Sequence, residues 1–406
     1  MSVLTNGASV QMGTVKRLKQ AGFVVWLLLL LSGIGQWMVF SHLAKYPANQ
    51  LARQKTDASL ALAQQALLAY AYQPLQSTTC ELNCPRPGDL PCPDRNNDGI
   101  AEGSCSNTAR LGRLPWKTLG VGDVRDGSGE RLWYAVSERY KNNPRILPLN
   151  LDTAGTWSVA SAAALRWDAT QGSGVVAVLI APMQPLVRAD GWVQQRQDAT
   201  ANISKHYLDQ HASWDNANPQ EGTVFGFVMA SLRPYFNDVV WPITASQIHQ
   251  TMQKHVLSEL SRTLRCTTLP CNPYPRPAAV DDVSCLSHLA LLPGLCLSVA
   301  SDVGRLPLDT NAHWAWAAQH ALDGSALHHW FQQNGWREQV FYQRSPSRVT
   351  LVVAGERLAG QARELASDKT RLNTYLEATT LLTLHVADAT ALNHPSNDLL
   401  QTVEGR

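Results

Sequence analysis

The residues best spaced for chemistry in this chain are Asp94-Arg-Asn96-Asn-Asp98-Gly99, with Glu102 three positions further on. Side-chain oxygens at the first, third and fifth positions, a glycine at the sixth and a carboxylate at the ninth reproduce the first part of a calcium loop, since this hard cation takes oxygen ligands. Cys105 stands where such a loop has its bidentate glutamate. Asp, Asn and Gly also favour turns on their own account. Two readings follow: a structural calcium ion on Asp94, Asn96, Asp98 and Glu102, completed by a distant side chain or water, or a plain turn.

No catalytic constellation accompanies this loop. The chain has no Gly-x-Ser-x-Gly elbow, no His-Glu-x-x-His and no phosphate-cradling glycine loop, so the expectation is a protein that is not an enzyme. Its densest histidine region, His313, His320, His328 and His329, is mixed with Trp314, Trp316 and Trp330, which reads as core or as a binding surface, Trp being enriched at interface hot spots. A net charge of +2, with no aromatic-interleaved Lys/Arg stripe, gives nucleic-acid binding little support.

Eight cysteines, Cys80, Cys84, Cys92, Cys105, Cys266, Cys271, Cys285 and Cys296, form two groups of four. An even count in an oxidising compartment reads as a disulfide framework. Local pairing gives Cys266 with Cys271 and Cys285 with Cys296. The first group allows three connectivities, of which Cys80–Cys84 with Cys92–Cys105 is favoured. The C-x2-C knuckles of a structural zinc site are missing.

The elements that must carry these residues begin at the N-terminus. Residues 1–20 form a basic leader with Lys16, Arg17 and Lys19, and residues 21–41 are an apolar run. About 20 residues at about 1.5 Å each span a hydrocarbon core of about 30 Å. The basic flank lies only on the N-terminal side, which predicts a cytoplasmic N-terminus and an extracytoplasmic remainder. A cleaved secretory signal is the competing reading, but the run is long for one and no small-x-small site follows. Residues 42–73 continue as an amphipathic helix with Leu60, Ala63, Leu67 and Tyr70 at three- and four-residue steps, interrupted or kinked near Pro47.

Beyond the helix the sequence repeats itself. Gly112-Arg-Leu-Pro115 returns as Gly304-Arg-Leu-Pro307, Leu132-Trp-Tyr-Ala-Val-Ser137 as Val340-Phe-Tyr-Gln-Arg-Ser345, and Val175–Pro182 as Val349–Gly355. Tyr207-Leu-Asp209 is answered by Tyr375-Leu-Glu377, and Asn237-Asp238 by Asn397-Asp398, in the same order. Between the copies, Thr244-Ala-Ser-Gln247 is a capping-box pattern ahead of Ile248, Met252, Val256, Leu260 and Leu264 at helical spacing. His249 and His255 would not share a face of that helix well and read as exposed or packed residues. The predicted organisation is head copy 1 over 74–243, a linking helix over 244–265 and head copy 2 over 266–406. The fold class is α+β, a long N-terminal helix followed by a disulfide-stapled, duplicated head of antiparallel strands.

The basic leader, Gly22-Phe23, the apolar half-helix and the amphipathic half-helix under a head together resemble a type IV pilin or pseudopilin. That resemblance implies processing by a prepilin peptidase between Gly22 and Phe23. It also implies a glutamate five residues into the mature chain, where this sequence has Leu27. A subunit lacking that carboxylate suits a tip or accessory position, because an unpaired ammonium in lipid is costly. Leu90-Pro-Cys-Pro-Asp94, Gly112-Arg-Leu-Pro-Trp116, Leu132–Ser137 and Val352-Val-Ala-Gly355 also resemble large, poorly characterised pilin-like membrane proteins of proteobacteria. The expectation is a single-pass inner-membrane protein with a periplasmic head, a structural or accessory subunit of a type IV pilus or type II secretion system. Its partners would be the membrane, other pilin-like or secretion-system subunits and prepilin peptidase. The alternative is a stand-alone, membrane-tethered binding protein that is not processed.

Overall fold

The computed structural model describes residues 49–72, 85–106, 110–146, 148–161, 164–229, 234–264, 274, 276–283, 286, 302–306, 330–331, 333–345, 348–385 and 396–404. The leader, the run 21–41, Gly22 and Phe23, the cysteines other than Cys92 and Cys105, and His313 to His329 lie outside them. Among the described residues no helix is long and apolar enough to cross a membrane. The chain divides into two compact units, Met1–Thr56 and Asp57–Arg406.

Residues 49–71 are helical and form α1, within the 42–73 span expected from its pattern. Leu60, Ala63, Leu67 and Ala71 bury one face. Two leucines buried this way contribute about 1.5–3 kcal/mol each. The following chain reaches a four-stranded sheet of β1 (Leu111–Arg113), β2 (Trp133–Val136), β5 (Ala177–Ala181) and β9 (Val239–Ile243), hydrogen-bonded in the order β1-β2-β5-β9 and antiparallel throughout. A smaller layer lies in the chain between β2 and β9. It contains β3 (Val159–Ser161), β4 (Leu165–Trp167) and β8 (Phe227–Met229) in one sheet, and the ribbon of β6 (Gln210–His211) and β7 (Trp214–Asp215).

The helix α2 (Ala245–Leu264) then opens the second half. Gln247 Oε1 accepts the Thr244 N–H at 2.9 Å, the reciprocal half of the capping box. Ile248, Met252, Val256, Leu260 and Leu264 are all buried. A second antiparallel sheet follows, in the order β10 (Val303–Arg305), β11 (Val340–Ser345), β12 (Arg348–Val353) and β13 (Leu399–Glu404), with the short helix α3 (Ala378–Thr383) between β12 and β13.

The two sheets match in register as well as in order. Gly112 faces Tyr134, and Gly304 faces Tyr342. Trp133 faces Ile180 and Phe341 faces Val352, while Ile180 faces Val240 and Val352 faces Leu400. Arg113 and Asp94 exchange main-chain hydrogen bonds at 2.6 and 3.0 Å, as Arg305 and Ala278 do at 2.9 and 3.0 Å. Gly112 is required there, because a Cβ would lie 2.6 Å from the Asp94 carbonyl oxygen.

Helix α2 stands to the second sheet as α1 stands to the first. Gln64 of α1 accepts from Trp241 Nε1 on β9 at 3.1 Å, and Ser261 of α2 donates to Gln401 on β13 at 2.7 Å. Trp241 and Gln401 each lie one residue after the matched pair Val240 and Leu400. Alternation divides each sheet: Tyr134, Val136, Leu179, Tyr342, Leu351 and Val353 face one continuous core shared with both helices. Trp133, Val178 and Ile180 pack in a separate cluster with Trp157, Tyr207 and Phe227, and Phe341 and Val352 pack with Tyr375, Leu376 and Leu381.

The halves are also clasped by polar groups. Asn334 Oδ1 accepts the Leu149 N–H at 2.9 Å, and Gln339 Oε1 accepts the Leu151 N–H at 3.1 Å. Asp152 accepts from Gln339 Nε2 at 2.8 Å and from Arg363 at 3.2 Å. The two halves therefore form one compact unit from Asp57 onward.

Candidate functional site

Strand β1 ends at Arg113, a buried cation whose guanidinium lies 4.2 Å from the Trp133 ring centre and 3.9 Å from that of Tyr207. Its Nη1 and Nη2 donate to the carbonyls of Arg131 at 3.0 Å and Ala201 at 2.8 Å. Burial pulls this guanidinium down to about 10, which leaves it charged at neutral pH. Arg305 repeats the arrangement over Phe341 and Tyr375, at 5.1 and 5.5 Å, and donates to the carbonyls of Glu338 and Lys369. A buried cation held by carbonyls and aromatic faces is thus a structural feature common to both sheets.

Beside β1 lies a cleft of about 650 Å³, walled on one side by Leu111 to Arg113 and on the other by residues 217–221. Trp133 and Trp157 line it, 2% and 4% exposed, and neither indole N–H has an acceptor among the described residues. The indole N–H groups of Trp116 and Trp336, outside the cleft, are likewise without acceptors among the described residues. At the matched register the second sheet has Phe341, which carries no such donor. Arg110 is paired with Glu138 at 3.0 Å and with Glu221. Glu221 also accepts the Glu138 N–H at 2.8 Å and the Thr156 hydroxyl; burial nonetheless pushes its carboxyl upward.

The Asp94 loop forms one rim of this cleft, with Asp94 and Arg95 among its lining residues. Asp94 Oδ1 accepts from the amides of Asn96 and Asn97 at 3.1 and 2.6 Å, and Oδ2 from Gly99 at 2.7 Å. Asn96 Oδ1 accepts the Asp98 N–H, Asp98 Oδ1 the Ile100 N–H and Glu102 Oε1 the Arg95 N–H, at 3.0, 2.7 and 3.1 Å. The glycine is demanded by φ +86° at Gly99 and by the Trp116 ring, 2.6 Å from where its Cβ would stand. Burial raises the Asp94 carboxyl, opposed by the three amides. Among the described residues no three or more His, Cys, Asp or Glu side chains converge to hold a metal. The loop is closed by a disulfide between Cys92 and Cys105, both fully buried.

A second recurring constellation joins the Tyr-Leu-acid turn to the last strand of each sheet. In the first half Asp238 Oδ2 accepts the Asp209 N–H at 2.8 Å, while Asp209 Oδ2 accepts the amides of Asn237 and Asp238 at 2.7 and 3.0 Å. In the second, Asp398 accepts the amides of Gly355 at 2.8 Å and Glu377 at 3.3 Å. Burial raises Asp209, and burial with the neighbouring carboxylate of Asp209 raises Asp238 strongly. Burial, with Glu377 alongside, pushes Asp398 up to about 7. In both halves burial thus favours the protonated form of the last aspartate, Asp238 and Asp398.

The Tyr-Leu-acid and Asn-Asp pairs carry this constellation in the sequence, and the structure adds a third member. Gln194-Gln-Arg196 and Gln361-Ala-Arg363 occupy the same place. Gln194 and Gln361 donate to Asp209 and Glu377 at 2.9 and 3.4 Å. Arg196 and Arg363 donate back to Gln194 and Gln361 at 3.1 and 2.9 Å. Two matching residues around one spacer are too little signal to stand out unaided.

His249 and His255 are packed residues of α2, 4% and 2% exposed. His249 Nε2 sits 3.0 Å from the Tyr140 hydroxyl and 3.2 Å from the Thr153 carbonyl oxygen, and burial lowers its basicity. It borders a smaller cavity of about 300 Å³ with Glu356, Asn397 and Asp398. Comparison with protein-family models, with curated proteins and with solved structures gives no match to this chain.

Proposed function

We propose that this protein is a membrane-anchored, pilin-like structural or accessory subunit of a type IV pilus or type II secretion system, with an extracytoplasmic head of two fused copies. The observation that carries the reading is the twofold recurrence of one unit, a helix with a four-stranded antiparallel sheet in matched register. The first such helix follows, in the sequence, the basic leader, the Gly22-Phe23 pair and the apolar run 21–41. In this reading the run packs among neighbouring membrane helices and the head presents a rigid surface to other subunits. The matched polar clasps Asp209–Asp238 and Glu377–Asp398 support descent of both halves from one ancestor, since buried polar networks are costly to assemble independently.

Calcium enters only as a stabiliser of the Asp94 loop. A melting point raised by several degrees in calcium over chelator supports it, and an unchanged one removes it.

The deciding experiment for the function is crosslinking in intact cells, followed by purification of the anchored protein. Crosslinks to other pilin-like subunits or to secretion-system components are expected. Recovery as an uncrosslinked monomer, with the assembly present and itself crosslinked, would favour the tethered binding protein.

A further inference from the structure

The seam between the halves holds a buried histidine whose proton can be placed. His249 reaches from α2 to Tyr140 and Thr153 of the first half. The Tyr140 hydroxyl donates to the Thr153 carbonyl, so the phenol oxygen and that carbonyl are both acceptors for His249 Nε2, at 3.0 and 3.2 Å. Nε2 therefore carries the proton of the neutral ring, and Nδ1 is a bare lone pair. Nδ1 has no hydrogen-bond partner among the described residues, and Glu356 Oε1 stands 3.8 Å from it. Two acceptors thus face each other across a gap that a proton on Nδ1 would turn into an ion pair.

Charging that ring is opposed where it stands. Burial, the largest influence, lowers its basicity against the pull of Glu356 and, more weakly, of Asp152. The Glu356 side chain is 42% exposed and shares its charge with water, while Asp152 is engaged by Gln339 and Arg363. Tyr140 is a buried phenol whose ionisation burial opposes. Lys254 and Asp398 border the same cavity of about 300 Å³; Lys254 adds a positive charge, and burial favours the protonated form of Asp398. We propose that His249 is an acid-sensitive latch between the two halves: proton uptake at Nδ1 loosens the seam, because an opened seam lets water solvate the imidazolium. An unfolded histidine titrates near about 6.5 and the closed one lower, so the stability this group lends is full above that value and falls as pH drops through it. The buried carboxyls Asp209, Asp238 and Asp398 act in the opposite direction, so the latch is read as a difference between variants. The proposal concerns the head alone and does not depend on processing or on filament membership.

The test is hydrogen exchange of the full-length protein in detergent micelles, read at the Leu149 and Leu151 amides, which bond across the seam to Asn334 and Gln339. Protection is compared at about pH 7.5 and about pH 5, corrected for the intrinsic exchange rate. His249→Gln keeps an amide donor for the Thr153 carbonyl but cannot ionise, and Glu356→Gln changes a half-exposed side chain and removes its pull on the proton. On acidification the unsubstituted protein should lose protection severalfold relative to His249→Gln, and Glu356→Gln should lose more than the unsubstituted protein. Superimposable pH profiles for the unsubstituted protein and His249→Gln, or a smaller loss in Glu356→Gln, overturn the proposal. If His249→Gln does not fold, nitrogen-15 spectra of the histidine-labelled unsubstituted protein decide instead. A neutral ring with its proton on Nε2, charging at lower pH than an unfolded histidine, is expected; a proton on Nδ1 or a ring charged at neutral pH overturns the latch.

Discussion

Asp398 shows how a single buried group ties this head to pH. Its carboxyl is pushed up to about 7 in the folded protein, whereas an unfolded aspartate titrates near 3.9. Between those values the folded state binds the extra proton, so stability falls as pH rises from about 4 to about 7 and levels off above. Asp209 and Asp238 are shifted in the same direction and add to the trend. Asp398→Asn, which cannot ionise, should make the stability lost between pH 4.5 and pH 7.5 measurably smaller in urea titrations, and an unchanged loss would show that Asp398 does not hold its proton. Arg113 gives a second residue-scale test. Arg113→Met leaves the carbonyls of Arg131 and Ala201 without their donor and should cost about 2–4 kcal/mol.

At the scale of elements, the disulfide and the helices carry the testable content. Cys92 and Cys105 lie 13 residues apart, and replacing both with serine should cost about 2–4 kcal/mol by denaturant titration, since the bond restrains the unfolded chain. Leu67→Ala in α1 should cost about 2–5 kcal/mol, because its side chain is fully buried in the shared core. The sequence makes several of these elements readable. The apolar spacing of α2 announces its buried face, and Gly112-Arg113 with Gly304-Arg305 announces two equivalent first strands. The role of α2 is less readable. Nothing in Ile248 to Leu264 resembles Leu60 to Ala71 residue by residue, so the pattern alone shows a connector. Its equivalence to α1 emerges from the Gln64–Trp241 and Ser261–Gln401 contacts, which join residues far apart in the chain. The cleft is less readable still, because Leu111, Trp133, Trp157 and Glu221 share no motif and meet only when the 157–221 layer folds beside β1.

At the scale of the whole molecule, the continuous core and the Asn334, Gln339 and Asp152 clasp make the two halves one cooperative body from Asp57 onward. A single calorimetric transition is therefore expected for the head. Two separable transitions would show that the seam is too weak to couple the halves. In the proposed reading, such a head would pass position from the apolar run 21–41 to neighbouring subunits. Whether the protein belongs to a pilin-like assembly turns on its N-terminus, so the most direct measurement is N-terminal sequencing of membrane-extracted protein from cells with and without active prepilin peptidase. A mature chain beginning at Phe23 only when the peptidase is active is the expected result. A chain that retains the 1–20 leader in both strains would contradict the processed pilin-like subunit and leave a tethered binding protein.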